Sequence, residues 1–148
     1  MDDDTFDLDR ATYRVFDIEG ASLSLFALDS GHIADVDGRQ AFWLSENLRK
    51  RIDEAFRIAS YHNPIYPALS RQLSIPSRVR QRVSWVPLFS QFEVSLAFEY
   101  HTHQYKRTLP LSIAVDSPEG VVNENGIWIY LFVTFEDLPS LLSFFLQH

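Results

Sequence analysis

The sequence predicts an α+β domain: a largely antiparallel β-sheet of five to seven strands, with one main amphipathic helix at about 46–59 and a short C-terminal helix packed on it. Three observations predict this. Short segments of alternating apolar and polar residues recur along the chain. Turn dipeptides, Glu19-Gly20 and Asp37-Gly38 among them, separate several of these segments. One stretch carries apolar residues at helical spacing over about three turns.

The first two strands are "TYRVFDI" at 12–18 and "ASLSLFAL" at 21–28, joined through Glu19-Gly20. In the second, Leu23, Leu25 and Ala27 alternate with Ser22 and Ser24, which predicts one buried face and one wetter face. "HIADV" and "RQAFWL" flank Asp37-Gly38 and read as a second hairpin. The helix at 46–59 follows, with Ser45 as its N-cap and Leu48, Ile52, Ala55, Phe56 and Ala59 as its apolar stripe. Arg49–Asp53 and Lys50–Glu54 are i,i+4 pairs on its other face. Residues 60–77 contain three prolines and form a loop. An antiparallel meander is expected beyond it, through "RVRQRVSWV", "FEVSLAFEY", "LPLSIAV" and "GIWIYLFVTF". The last of these is apolar on both faces and belongs in the middle of the sheet. Asp137 caps the C-terminal helix, which carries Leu141, Leu142, Phe145 and Leu146.

At 148 residues the chain is long enough for one domain with its own core. Residues 1–9, "MDDDTFDLD", have little to bury and are expected to be an acidic flexible tail on a single globular domain over 10–148. The acidic start is unlike a basic targeting leader. No apolar run approaches the ~18 residues needed to span a bilayer, so no membrane insertion and a soluble, cytoplasmic protein are expected. With no cysteine, disulfides, thiolate nucleophiles and Cys-based zinc sites are excluded.

The net charge of −7 is segregated. Residues 1–37 carry ten acids and two bases, residues 38–82 nine bases and three acids, and residues 83–148 seven acids and two bases. The basic middle third includes "SRVRQRVSW", in which Arg78, Arg80 and Arg82 share one face of the expected strand. Guanidinium groups spaced ~6.5–7 Å apart would form a ladder for carboxylates or phosphates.

Two other stretches suggest chemistry. In "FEYHTHQYK", Glu99, His101 and His103 alternate with Tyr100 and Thr102, so an extended strand would point all three the same way. They fall on the polar side of a period-2 pattern whose other side is Phe92, Val94, Leu96, Phe98 and Tyr100, and the preferred reading is a solvated strand face. A metal site is the alternative. His-x-His resembles the opening of the cupin metal motif, but that motif continues with a glutamate where this chain has Arg107. Likewise Asp35-x-Asp37-Gly38 resembles the nucleophile loop of haloacid-dehalogenase-type phosphatases, yet Arg39 stands where that family has threonine. Asp37-Gly38 is therefore read as a turn.

No phosphate-binding glycine loop, nucleophile elbow or zinc-helix motif is present. The function expected is a non-enzymatic protein-binding module without cofactors, such as an inhibitor, an immunity-type protein or a viral or phage accessory protein. Charge complementarity would speed its encounter with a basic protein partner. An apolar aromatic interface drawn from Trp128, Tyr130, Phe132, Phe144 and Phe145 would make it a homo-oligomer. The first alternative is an anion- or RNA-binding protein using Arg78, Arg80 and Arg82, and the second a metal-dependent enzyme using Glu99, His101 and His103.

Overall fold

The computed structural model describes residues 12–67, 73–101 and 106–108, together with the strand segments 111–114, 117–122 and 128–131. The chain runs β1 (Arg14–Ile18), β2 (Leu23–Leu28), α1 (Arg39–Arg49), β3 (Phe56–Tyr61), α2 (Pro76–Gln91), β4 (Leu96–Glu99), β5 (Lys106–Arg107), β6 (Leu111–Ala114), β7 (Ser117–Val122) and β8 (Trp128–Leu131). Six strands form one sheet in the order β1-β2-β3-β4-β8-β5, and β6 and β7 form a separate antiparallel pair.

The expected antiparallel sheet is not what forms. Only the outer pairs β1–β2 and β5–β8 are antiparallel, whereas β2, β3, β4 and β8 run parallel. Parallel neighbours need a crossover, and α1 and α2 supply two of them in consecutive strand–helix–strand units. The register carries Phe26 to Ala59 and Ala59 to Ala97, so these three residues form a row across the sheet. That row, with Leu28 and Tyr61, packs against Leu44 and Leu48 of α1 and Trp85, Val86 and Phe89 of α2 in one buried cluster.

The β1–β2 hairpin forms where expected. Gly20 takes φ +78° in the turn, a conformation that costs glycine nothing for want of a Cβ. The faces of β2 are the reverse of those read from the alternation. Ser24, Phe26 and Leu28 are buried under the helices, and Leu23, Leu25 and Ala27 are half-buried on the other side.

The first helix is displaced from expectation, and the second forms where a strand was expected. Asp37-Gly38 does not turn a hairpin; Gly38, at φ +58°, is the N-cap of α1. The buried face of α1 is Gln40, Leu44 and Leu48 at i, i+4 and i+8. The helix ends at Lys50, so the expected stripe beyond Leu48 does not exist. Ile52 and Phe56 are exposed, and Arg49 pairs with Glu46 at 2.6 Å instead of Asp53. Residues 56–61 alternate as strand β3, burying Arg57, Ala59 and Tyr61.

The segment expected as the strand "RVRQRVSWV" lies within α2, which starts with Pro76 in its first turn and contains Pro87. Its buried face is Arg78, Gln81, Trp85, Val86 and Phe89. β8 lies between β4 and the short edge strand β5, next to the end of the sheet and not in its middle as its two-sided apolar pattern predicts. Residues 1–9, Phe132 of the last expected strand, and the segment expected as the C-terminal helix, with Phe144 and Phe145, lie outside the described residues. Among the described residues no helix is long and apolar enough to cross a membrane.

Buried Arg57 holds the amino-terminal end of the sheet together. Its Nε donates to the Phe92 carbonyl at 2.7 Å, one terminal nitrogen donates to the carbonyls of Arg51, Ile52 and Glu54, and the other reaches Glu93 O at 3.3 Å. One planar cation thus satisfies carbonyls in the turns before β3 and before β4.

Candidate functional site

Loops leave the carboxyl ends of β2, β3 and β4 side by side, at the edge where open α/β sheets gather ligand-binding groups. Each brings a histidine: His32 after β2, His62 directly after β3, and His101 after β4.

The first loop is organised by Asp29. One carboxylate oxygen accepts the N–H groups of Gly31 and His32 at 2.9 and 2.7 Å, and the other accepts those of Ile33 and Ala34, both at 3.2 Å. Burial opposes ionisation of Asp29, but these backbone donors, with the Thr12 hydroxyl, outweigh it and hold the carboxyl below its ordinary range. Gln40 clips the same loop to α1. Its side-chain oxygen accepts Asp29 N–H at 2.9 Å, and its amide nitrogen donates to the carbonyls of Asp29 and Asp35. Trp85 Nε1 donates to Val36 O at 2.6 Å from α2.

The second loop is tied to the first. Asn63 N–H donates to the Ser30 hydroxyl at 2.9 Å, and the Asn63 side chain donates to Ser30 O at 3.0 Å. This brings the His32 and His62 rings to 5.2 Å, edge to face. The His62 and His101 ring centroids are 5.0 Å apart, with His62 Nε2 and His101 Nδ1 at 3.1 Å. All three rings are exposed. Nitrogens this close are within hydrogen-bond distance, and the tautomers decide which one donates. His101 also has φ +73°, a left-handed conformation that costs a side-chain-bearing residue about 1–3 kcal/mol and that concentrates at functional sites.

Over the described residues 92–101 the structure overturns the reading of a half-solvated strand. Ala97 and Glu99, assigned to the wet side, are fully buried, because a parallel strand under a helical layer buries residues that an edge strand would expose. Glu99 does not point alongside His101 either, since the left-handed turn at His101 ends the alternation. The Glu99 carboxylate is occupied by four donors: Tyr61 OH at 3.0 Å, Ile65 N–H at 2.7 Å, Tyr66 N–H at 3.3 Å and Lys106 Nζ at 2.6 Å. Burial first, and the Glu99 charge next, push the Tyr61 phenol well above its ordinary range, so it stays a donor. Burial also pushes Tyr66 up to about 12. His103 lies outside the described residues.

The arginine ladder is also absent, because a helix does not place Arg78, Arg80 and Arg82 in one row. Arg78 is buried, and desolvation lowers its pKa. Arg82 donates to the carbonyls of Ile65 and Leu73 and stacks 5.9 Å from the Tyr66 ring centroid. Arg80 is exposed. The sequence reading missed His32, His62, Asp29, Ser30 and Asn63. A signal was available: a histidine follows the end of three strand-like segments within four residues, in "LDSGH", "YH" and "EYH".

The arrangement defines an α/β fold with an imidazole cluster at the carboxyl edge of its parallel strands. No family model and no curated protein matches the chain. Among solved structures it is similar to purple acid phosphatase PPD1 from yellow lupin (Lupinus luteus) seeds, with a TM-score of 0.62 and 17% sequence identity. The match covers 80% of this chain and 22% of the phosphatase, so the chain spans about a fifth of that protein's length. At this identity the likeness shows a shared fold.

Proposed function

We propose that this chain carries part of a metal-assisted phosphoester hydrolase site, with His62 and His101 as cation ligands and His32 beside them. The observation that carries it is the approach of His62 Nε2 and His101 Nδ1 to 3.1 Å at the carboxyl edge of the sheet. Two imidazole nitrogens each about 2.0–2.1 Å from one zinc-like ion stand about 3 Å apart, so the separation of the pair matches that of two ligands of such a cation. The strained backbone of His101 and the fold shared with a phosphatase support the same reading.

A bound divalent cation supplies polarisation of a phosphoryl oxygen and a more acidic bound water. The chain's own residues supply the frame. Asp29 fixes the loop bearing His32, the Ser30–Asn63 bonds join it to His62, and the Tyr100 N–H donates to His62 O at 3.1 Å, joining the third loop to the second. Among the described residues no group of three imidazole or carboxylate donors converges as a metal cage. The pair would therefore hold a cation whose other positions are open to water and substrate.

The test uses protein purified without an affinity tag and stripped of metal. Isothermal titration with Zn²⁺ or Mn²⁺ should show a site that His62→Ala and His101→Ala each weaken by about 10-fold or more. Hydrolysis of p-nitrophenyl phosphate should follow metal occupancy. A wild-type chain that binds neither ion, or binding indifferent to both substitutions, would sink the proposal.

A further inference from the structure

Glu99 lies within two residues of His101 and is bonded on both flanks of His62, yet it is fully buried while the three rings are exposed. Its Oε1 accepts the Tyr61 hydroxyl on one side of His62 and the Ile65 and Tyr66 N–H groups on the other. Its Oε2 binds Lys106 Nζ, and that ammonium also donates to the Tyr66 carbonyl. Both the carboxylate and the ammonium are largely removed from water.

Burying such a pair is costly, and an apolar pair of similar volume commonly leaves a fold as stable or more so. Stability alone therefore does not explain Glu99. What an apolar side chain cannot do is accept the two consecutive N–H groups of the turn at 65–66, which no other described group takes up. Held there, the turn fixes the exit of His62 from β3, and the Tyr100 N–H bond to His62 O aligns it with the loop of His101.

We propose that Glu99 is a positioning residue: by gripping the turn at Ile65 and Tyr66 it holds the His62 ring against His101, so that the two nitrogens present themselves to one cation. This rests on the metal-ligand reading above. The geometric half, ring against ring, is separable from it.

Two double variants of the full chain test it, because removing both charges together avoids an unpaired buried ion. E99L/K106M keeps the volume but has no acceptor for the turn. E99Q/K106M keeps an amide oxygen that accepts the Ile65 and Tyr66 N–H groups. The first readout is the nuclear Overhauser contact between the His62 and His101 ring protons in metal-free protein. The second is Co²⁺ affinity, followed by its visible absorption.

With both variants folded by circular dichroism, E99L/K106M should lose the ring contact and bind Co²⁺ about 10-fold or more weakly, in the range typical of lost outer-sphere support. E99Q/K106M should restore both. An E99L/K106M protein that keeps the ring contact overturns the proposal, as does an E99Q/K106M protein that loses it equally. If the wild type shows the ring contact but takes up no Co²⁺, the metal reading fails while the positioning of the rings is still decided by the first readout.

Discussion

Replacing Asp29 by Asn should destabilise the protein and loosen the loop that carries His32. In the wild type two carboxylate oxygens take four backbone N–H groups, with the shorter pair at 2.9 and 2.7 Å on one oxygen. An amide keeps one acceptor and turns an N–H₂ group toward the other two donors. A hydrogen bond to a charged group contributes roughly 1.5–3 kcal/mol, and the two lost bonds at 3.2 Å are long, so the expected cost is about 2–4 kcal/mol. For a chain of this size 1 kcal/mol moves the midpoint by about 2–4 °C, so D29N should melt roughly 5–15 °C lower. The pH dependence follows from the lowered carboxyl pKa. Stability contributed by Asp29 is fully present above the ordinary carboxylate value of 3.8 and is lost as pH falls through the lower folded value. Thermal unfolding of both proteins from pH 7 down to pH 3 measures this, and D29N should lack that part of the acid-side loss. A D29N protein with the wild-type midpoint and the wild-type acid slope would refute the account of the loop.

Arg57→Lys should cost about 2–3 kcal/mol in urea unfolding and Arg57→Ala about 3–5, because an ammonium cannot fork toward carbonyls in two turns and alanine removes the guanidinium donor from all five, of which Arg51 O keeps the Glu54 N–H. Asp17 is held at a pKa of about 2 by the Arg51 fork at 2.6 and 2.7 Å and then by the Ser24 hydroxyl. Its carboxylate is 52% exposed, so after screening by water D17N should cost no more than about 1 kcal/mol. That loss should show in urea melts above pH 3.8 and disappear as pH falls through about 2. His101→Gly relieves a φ of +73° and should raise stability by about 0.5–1 kcal/mol while weakening metal uptake about 10-fold or more, as His101→Ala does. Calorimetry and metal titration of that single variant read both effects.

The β1–β2 hairpin was legible because its signal is local: an alternating pattern on each side of Glu19-Gly20. Parallel pairing is not local, and nothing in "FRIASY" or "LAFE" names its neighbour across a crossover helix. The helix α2 was hidden by its own core face. Arg78 and Gln81 occupy buried positions that would ordinarily be apolar, while Val83 is 64% exposed, so the letters mimic the alternation of a strand. Pro87 inside the helix added to that impression. A similar coincidence extended α1 through Ile52 and Phe56, which the sheet instead claims or leaves exposed. The site was half legible. His101 and Glu99 stood out by spacing, but Glu99 went to the interior because a carboxylate with four donors can be buried. His32 and His62 are remote from His101 in sequence, and only the adjacency of β2, β3 and β4 brings the three rings together.

Diffraction from crystals soaked in a zinc salt, collected on both sides of the zinc absorption edge, addresses the imidazole pair most directly. An anomalous peak bonded to both His62 Nε2 and His101 Nδ1 is the result expected. Crystals whose zinc sits elsewhere, with those two rings bonded to each other or turned apart, would contradict it.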